Sequence, residues 1–323
     1  MSKYQKISPK IQELLLSGPK SKGAIRWLNI TNPGKEELDF LRKIKNYNFN
    51  FSELRASSSN AQAERPILEE QDKYFFLILH FPAFRENEII PAEINFFLSH
   101  NFLVTLHDGR LKSLNDFFNT AKKDDDSLAT KKFPSAAVLL YEILNKLLND
   151  CYGLMDKNSL KINEMEKMIF AGEQKKSVVS ILELEHNIIN IRRIMLSHKN
   201  ILKNLILLKS SIIPSSVIKN FFINLIEHTK RIWELSEGQK ETIEALRRAN
   251  ESLLDYKTNN IIKTLTIVSI VFTPLSFIVA LFTMSVNGSM PFLHAPNGFW
   301  IISSGLGAIA FLMLVFFIRK KWL

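Results

Sequence analysis

Near the C-terminus, Thr266, Ser269, Thr273, Ser276, Ala280, Thr283 and Asn287 have both the side chains and the spacing to do chemistry. They recur at alternating steps of three and four residues, which on an α-helix draws one small, hydroxyl-rich stripe down a single face. Such a stripe suits two tasks. Small residues let a second helix approach closely while each hydroxyl bonds back to the preceding turn. Alternatively, the oxygens line a water-filled path through an apolar surrounding. The stripe runs the length of its segment and ends in Asn287 and a loop with Gly288 and Pro291, which favours the path.

The element that must position this stripe is the uncharged segment 264–286. At about 1.5 Å per residue it reaches roughly 34 Å as a helix, enough to cross a hydrocarbon core of about 30 Å. A second apolar segment, 299–318, follows a short loop, and no Lys, Arg, Asp or Glu occurs between 264 and 318. Lys257 and Lys263 precede the first span and Arg319, Lys320 and Lys321 follow the second, whereas the loop carries only His294. By the positive-inside rule both termini are expected in the cytoplasm, with the chain multi-pass in a cell inner (plasma) membrane and the loop outside.

The remaining 263 or so residues alternate apolar and charged positions as a soluble protein does. The net charge of +10 raises the question of nucleic acid, but no aromatic-plus-basic recognition motif is present, and no nucleic-acid partner is expected. The single cysteine, Cys151, excludes an internal disulfide and is expected to pack. Met1 to Gly18 contains Leu14-Leu15-Leu16 but lacks the apolar core and cleavage pattern of a signal peptide.

In chain order, 24–30 reads as a strand closed by Thr31-Asn32-Pro33-Gly34, 35–45 as a helix, and 73–81, 89–98 and 102–107 as strands, the last two joined by a turn at 99–101. This predicts an α/β domain over roughly 20–130. It has no glycine-rich phosphate loop and no nucleophile–base constellation, so no catalytic residue is assigned and no enzyme is expected. His107-Asp108 reads as a satisfied strand end. The other histidines lack zinc spacing, and Asp124-Asp125-Asp126 reads as a solvated loop. Helical periodicity then takes over 135–170 and 175–209, and a third helix starts at Pro214 and meets only Gly238 before Pro274. From about 215 to 284 it would be roughly 100 Å long. Glu234, Glu237, Glu241 and Glu244 on it are read as a solvated face. Two spans per chain cannot enclose a path, so a pore requires several copies with the striped helix inside.

Several stretches carry a resemblance: Thr258-Asn259, Lys263-Thr264-Leu265-Thr266-Ile267, Phe272-Thr273-Pro274-Leu275-Ser276-Phe277-Ile278 and the tail Lys320-Lys321-Trp322-Leu323, with Arg65-Pro66 and Tyr74 less specifically. In these the chain resembles the CorA family of divalent cation transporters. The resemblance implies an α+β chain forming a funnel-shaped homopentamer: a cytosolic α/β domain (1–130), a long-helix stalk (131–260) and a transmembrane hairpin with a basic tail (261–323). It implies a pore lined by Asn259, Ile262, Leu265, Thr273 and Ser276, to which the stripe adds Thr266, Ser269, Ala280 and Thr283. Ile262 and Leu265 would form a hydrophobic constriction.

The chain departs from the family at the mouth, where Gly-Met-Asn is usual. An ungapped count from Pro274 puts Thr283-Met284-Ser285 there, and a shift of two puts Ser285-Val286-Asn287 there. Later, Met290-Pro291-Phe292-Leu293 replaces the family's acid with Phe292. Neutral oxygens from Thr283, Ser285 and Asn287 can hold a hydrated Mg²⁺ through its outer shell. The missing carboxylate weakens the concentration of dications outside. The expected cargo is a divalent cation, Mg²⁺ foremost, with no cofactor and no assigned metal ligands. A Zn²⁺, Co²⁺ or Ni²⁺ transporter and a non-conducting scaffold or sensor are the alternatives, His294 suiting a softer ion.

Overall fold

The computed structural model describes residues 3–16, 24–44, 48–59, 65–86, 88–123, 135–208, 210–213, 216–283 and 297–320. The chain forms two compact units, Met1–Leu246 and Arg247–Leu323.

The first unit is built on a seven-stranded sheet of order β1-β2-β3-β7-β6-β5-β4. Its strands are β1 (Lys3–Lys6), β2 (Ile11–Leu16), β3 (Ile25–Thr31), β4 (Ile67–Glu70), β5 (Phe75–Arg85), β6 (Glu88–Leu98) and β7 (Phe102–His107). Only β3 and β7 run parallel among the paired strands. Both faces of the sheet are covered, which is why β5 to β7 read as near-continuous apolar runs rather than alternating ones. On one face Trp27, Phe75, Phe81 and Phe96 pack with α3 (Lys112–Lys123), α4 (Ala136–Phe170) and α6 (His198–Leu207). On the other, Leu28, Ile30, Phe76, Phe97 and Phe102 pack with α1 (Lys35–Arg42) and α2 (Phe51–Ala56).

The expected strands and turn are present as β3, β5, β6 and β7, but the sheet begins well before residue 20. The Leu14-Leu15-Leu16 run is part of β2, with Leu14 and Leu16 fully buried. Helices α2 and α3 are additional to the expected elements; Asn50 caps α2 by accepting from the Ser52 N–H at 3.1 Å. The helix expected over 175–209 is two, α5 (Gln174–Met195) and α6, separated at Leu196-Ser197. No Gly or Pro marks that break. The apolar positions after it, Ile201, Leu202 and Leu205, instead bury in the sheet's core, so packing rather than a local signal sets the break. Helix α7 (Ser216–Thr283) carries Gly238 and Pro274 within it, and Pro214, the expected start, lies outside the described residues. A Cβ at Gly238 would meet nothing within 4 Å, so the glycine is tolerated rather than required.

One feature of β6 locks α5 in place. Its pairing with β7 covers only Ile94 to Leu98, so the outward N–H and C=O of Ile89 have no strand beside them. Asn187 Oδ1 accepts from the Ile89 N–H at 2.8 Å and Asn190 Nδ2 donates to its carbonyl at 2.9 Å, both buried. Two asparagines one turn apart thus act as the missing strand, satisfying groups that would be costly to leave open.

The second unit holds the rest of α7 and α8 (Gly298–Arg319). Both helices are long and apolar enough to cross a membrane by length and composition. Within the unit, Ile267, Val271 and Phe317 are 4%, 6% and 7% exposed and pack with Leu275, Ala310 and Met313.

Candidate functional site

The contact with α8 fixes how α7 is oriented within the second unit. Taking Ile267, Val271 and Leu275 as the α8-facing edge, and about 100° per residue, the mean direction of Thr266, Ser269, Thr273, Ser276, Ala280 and Thr283 lies roughly 170° away. The oxygen-bearing stripe and the α8 contact therefore occupy opposite faces of one helix. Every one of those six residues is exposed in the isolated chain. Large apolar side chains flank the stripe on both sides: Val268, Phe272 and Val279 on one, Ile270, Phe277 and Leu281 on the other, all exposed.

Asn259, Ile262 and Leu265 lie on the same helix and are also exposed, Ile262 at 55% and Leu265 at 64%. By the same angular count Ile262 and Leu265 fall on the stripe's own face, and Asn259 at its margin. The nine residues expected to line a pore thus lie on α7, turned away from its contact with α8. The mouth residues Met284, Ser285 and Asn287, together with Phe292 and His294, lie outside the described residues.

The hydroxyls are already partly engaged. Thr266 Oγ1 donates to the Ile262 carbonyl at 2.8 Å and Thr283 Oγ1 to the Ala280 carbonyl at 2.8 Å. A hydroxyl that donates to its own backbone turns its lone pairs outward, so these residues present acceptors rather than donors on the open face. Pro274 brings no N–H and leaves the Ile270 carbonyl, on the flank beside the stripe, without its usual intrahelical donor. The face is therefore neutral and rich in oxygen acceptors, suited to water or a hydrated cation.

The first unit holds buried polar groups that a catalytic reading would have to use. His107 ends β7, where its Nε2–H donates to Asn29 Oδ1 at 3.0 Å and its Nδ1 accepts from the Gly109 N–H at 3.0 Å. Thr105 Oγ1 donates to the same Asn29 oxygen at 2.7 Å and accepts from Trp27 Nε1 at 3.1 Å. Burial lowers the His107 pKa to about 4, so it is a neutral structural hydrogen-bonder with both nitrogens consumed. Asp108 pairs with Arg110. The expected strand-end reading of His107-Asp108 stands on these bonds. Cys151 is buried, its thiol pushed up to about 12 by desolvation. Of the acids on α7, Glu237 pairs with Arg192, Glu234 with Lys230 at 3.7 Å and Glu244 with Lys240 at 3.2 Å. Asp124-Asp125-Asp126 lies outside the described residues.

His198 is a second buried imidazole, edge-on to Phe81 at 5.0 Å between ring centroids. Burial, with His80 nearby adding to it, lowers its pKa to about 4, and the Ile194 carbonyl opposes this only in part. The unfolded chain takes up a proton near pH 6.5 while the folded one resists until about pH 4. Stability is therefore lost as pH falls through that window. His198 should contribute about 2 kcal/mol of destabilisation between pH 7 and pH 5. Chemical unfolding followed by tryptophan fluorescence at both pH values checks this: His198→Leu should shrink the pH-dependent loss by that amount, and an unchanged loss would place the acid sensitivity elsewhere.

The chain matches the family described as CorA-like Mg2+ transporter protein over residues 22–320. It is 24% identical over 302 residues to the Cobalt/magnesium transport protein CorA of Thermotoga maritima, covering 92% of this chain and 83% of that protein. Over 319 residues it is 22% identical to the protein of the same name from Methanocaldococcus jannaschii, covering 98% and 96% respectively. The complete structure of the CorA magnesium transporter from Methanocaldococcus jannaschii superposes with a TM-score of 0.84 at 20% identity, over 99% of this chain and 100% of that one.

Proposed function

Because the chain belongs to the CorA-like Mg2+ transporter family, we propose that it carries divalent metal cations, Mg²⁺ foremost, across a membrane through a pore formed by several copies of itself. The observation that carries this reading is the placement of the stripe opposite α8. Around a common axis, α8 takes the lipid-facing position and α7 turns its acceptor-rich face inward. The apolar flanks, Phe272 and Val268 on one side and Phe277 and Ile270 on the other, meet neighbouring copies. Were α7 inverted, hydroxyls at Thr273 and Ser276 would face hydrocarbon and Ile267, Val271 and Leu275 would surround water.

On this reading the assembly is a homopentamer, as the family resemblance implies, and the pore runs from Asn259 past Ile262, Leu265, Thr266, Ser269, Thr273, Ser276 and Ala280 to Thr283. Its mouth is built from Thr283, Met284, Ser285 and Asn287. The cytoplasmic side carries residues 1–130 and the helical stalk 131–260, with the hairpin 261–323 in the inner membrane and both termini inside. The cation is cargo, and the first unit regulates its passage. The acid replaced by Phe292 favours a second reading, a non-conducting scaffold that kept the fold.

Ion uptake into liposomes holding the purified oligomer separates these readings. Mg²⁺, Zn²⁺, Co²⁺ and Ni²⁺ are compared against protein-free vesicles, with and without a proton gradient. Selective Mg²⁺ entry is the expected result. A preference for Zn²⁺ would reassign the cargo, and no flux for any ion would leave the scaffold.

A further inference from the structure

At the carboxyl ends of the parallel strands β3 and β7, a cavity of about 170 Å³ opens beside Pro33, Glu93, Asn95, Leu106 and Asp108. It is large enough for more than one water molecule. Asn95 is 3% exposed; its Nδ2 donates to Glu93 Oε1 at 3.0 Å, and its Oδ1 has no donor. Flipping the amide would set its oxygen against the Glu93 carboxylate, so the orientation is fixed and the acceptor stays unmet. None of the donors in the walls, which include Asn32, Ser58 and Ser59, reaches Asn95 Oδ1. Both nitrogens of His107 are held by Asn29 and Gly109, the Arg110 guanidinium is held by Asp108, and Ser57 Oγ donates to the Glu53 carbonyl at 2.9 Å. His80 Nε2 lies 3.3 Å from the other Glu93 oxygen.

The missing partner is therefore a donor that enters the cavity, and its surroundings specify what kind. The unmet group is an acceptor, Asn95 Oδ1, in a cavity lined also by the Glu93 and Asp108 carboxylates, while Pro33 and Leu106 are its apolar residues. Two features oppose a metal ion: no group of three His, Cys, Asp or Glu able to hold one exists among the described residues, and the Arg110 guanidinium in the wall repels a dication twice as strongly as a monocation. We propose that this cavity binds a small organic ammonium group, which donates N–H to Asn95 Oδ1 and the Glu93 carboxylate and lays its short alkyl stem against Pro33 and Leu106. The cavity lies within the first unit, and binding there stands or falls independently of ion transport.

The test is thermal unfolding of the full-length protein in detergent, titrated with methylammonium chloride at constant ionic strength. Tetramethylammonium chloride, with the same charge and no N–H, serves as the donor-free control. Methylammonium should raise the midpoint saturably and tetramethylammonium should not. Asn95→Leu should abolish the response, and Glu93→Gln, which keeps the shape of the side chain and an acceptor for Asn95 Nδ2, should raise the half-saturating concentration about tenfold. The proposal is overturned by any of three results: no saturable response to methylammonium, an equal response to tetramethylammonium, or a response unchanged in Glu93→Gln. A parallel MgCl₂ titration whose effect disappears in Asn95→Leu, with methylammonium silent, would assign a hydrated metal to the cavity and overturn the ammonium assignment.

Discussion

Replacing Thr273 and Ser276 together by leucine is expected to cut Mg²⁺ uptake into liposomes by about a hundredfold or more while leaving the oligomer assembled. Both residues sit on the face of α7 opposite Ile267, Val271 and Phe317, so the added bulk falls outside the α7–α8 contact. Each hydroxyl lost removes an acceptor for the waters of a dication. A hydrogen bond to a neutral partner such as water contributes about 0.5–1.5 kcal/mol net, and about 1.4 kcal/mol is a factor of ten, so two losses in series give about one to two decades. Leucine also narrows and dries the path at the level of Pro274. The matched control is Phe272→Leu with Val279→Leu on the flank, which keeps the apolar character and should change flux little. Unchanged flux in the Thr273→Leu, Ser276→Leu protein, with the oligomer verified by size, would mean that the stripe serves helix packing and the pore lies elsewhere.

The sequence made the second unit more legible than the first, and the reason is physical. In a bilayer the backbone must satisfy itself, so an uncharged run of sufficient length has few structures open to it, and the three-four spacing of Thr266 to Thr283 then fixes a face. What spacing alone left open was whether that face packs on the second span. The packing of Ile267 and Val271 on Phe317, a contact between residues about 50 apart that no local pattern encodes, turns the stripe away from α8. In the first unit the long apolar strands are readable, whereas β2 carries no strand signal because Ile11-Gln12-Glu13-Leu14 mixes charge with apolar residues. Glu13 is nonetheless buried, held by Arg26 across the β2–β3 pair. The break between α5 and α6 and the Asn187–Ile89–Asn190 clamp were equally invisible, since both depend on where a distant strand ends. The unmet Asn95 acceptor belongs to the same class: Asn95 in the run Ala92-Glu93-Ile94-Asn95-Phe96 gives no hint that a cavity opens beside it.

Opening the narrow end should have the opposite effect from closing the middle. Ile262→Ser combined with Leu265→Ser is expected to raise resting Mg²⁺ flux about tenfold or more. The two residues lie on the stripe's face, Ile262 one turn before its first hydroxyl at Thr266 and Leu265 immediately before it, and both are exposed in the isolated chain. Facing copies of themselves around an axis, isoleucine and leucine would leave a gap that water fills poorly, so a hydrated ion meets a dewetting barrier with no closed plug. Serine at both positions supplies acceptors and removes bulk. That extends the neutral oxygen lining from Thr266 downward, and the barrier falls even where the surrounding helices do not move. Ile267→Ser tests the specificity of this account, because Ile267 faces α8; it should weaken the hairpin's packing without raising resting flux. Stopped-flow measurement of a Mg²⁺-sensitive dye inside the vesicles reads all three proteins. If Ile262→Ser, Leu265→Ser leaves resting flux at the wild-type level while Thr273→Leu, Ser276→Leu still abolishes it, the path is confirmed in its middle but its constriction must be sought toward the Thr283 end, where the chain departs from its relatives.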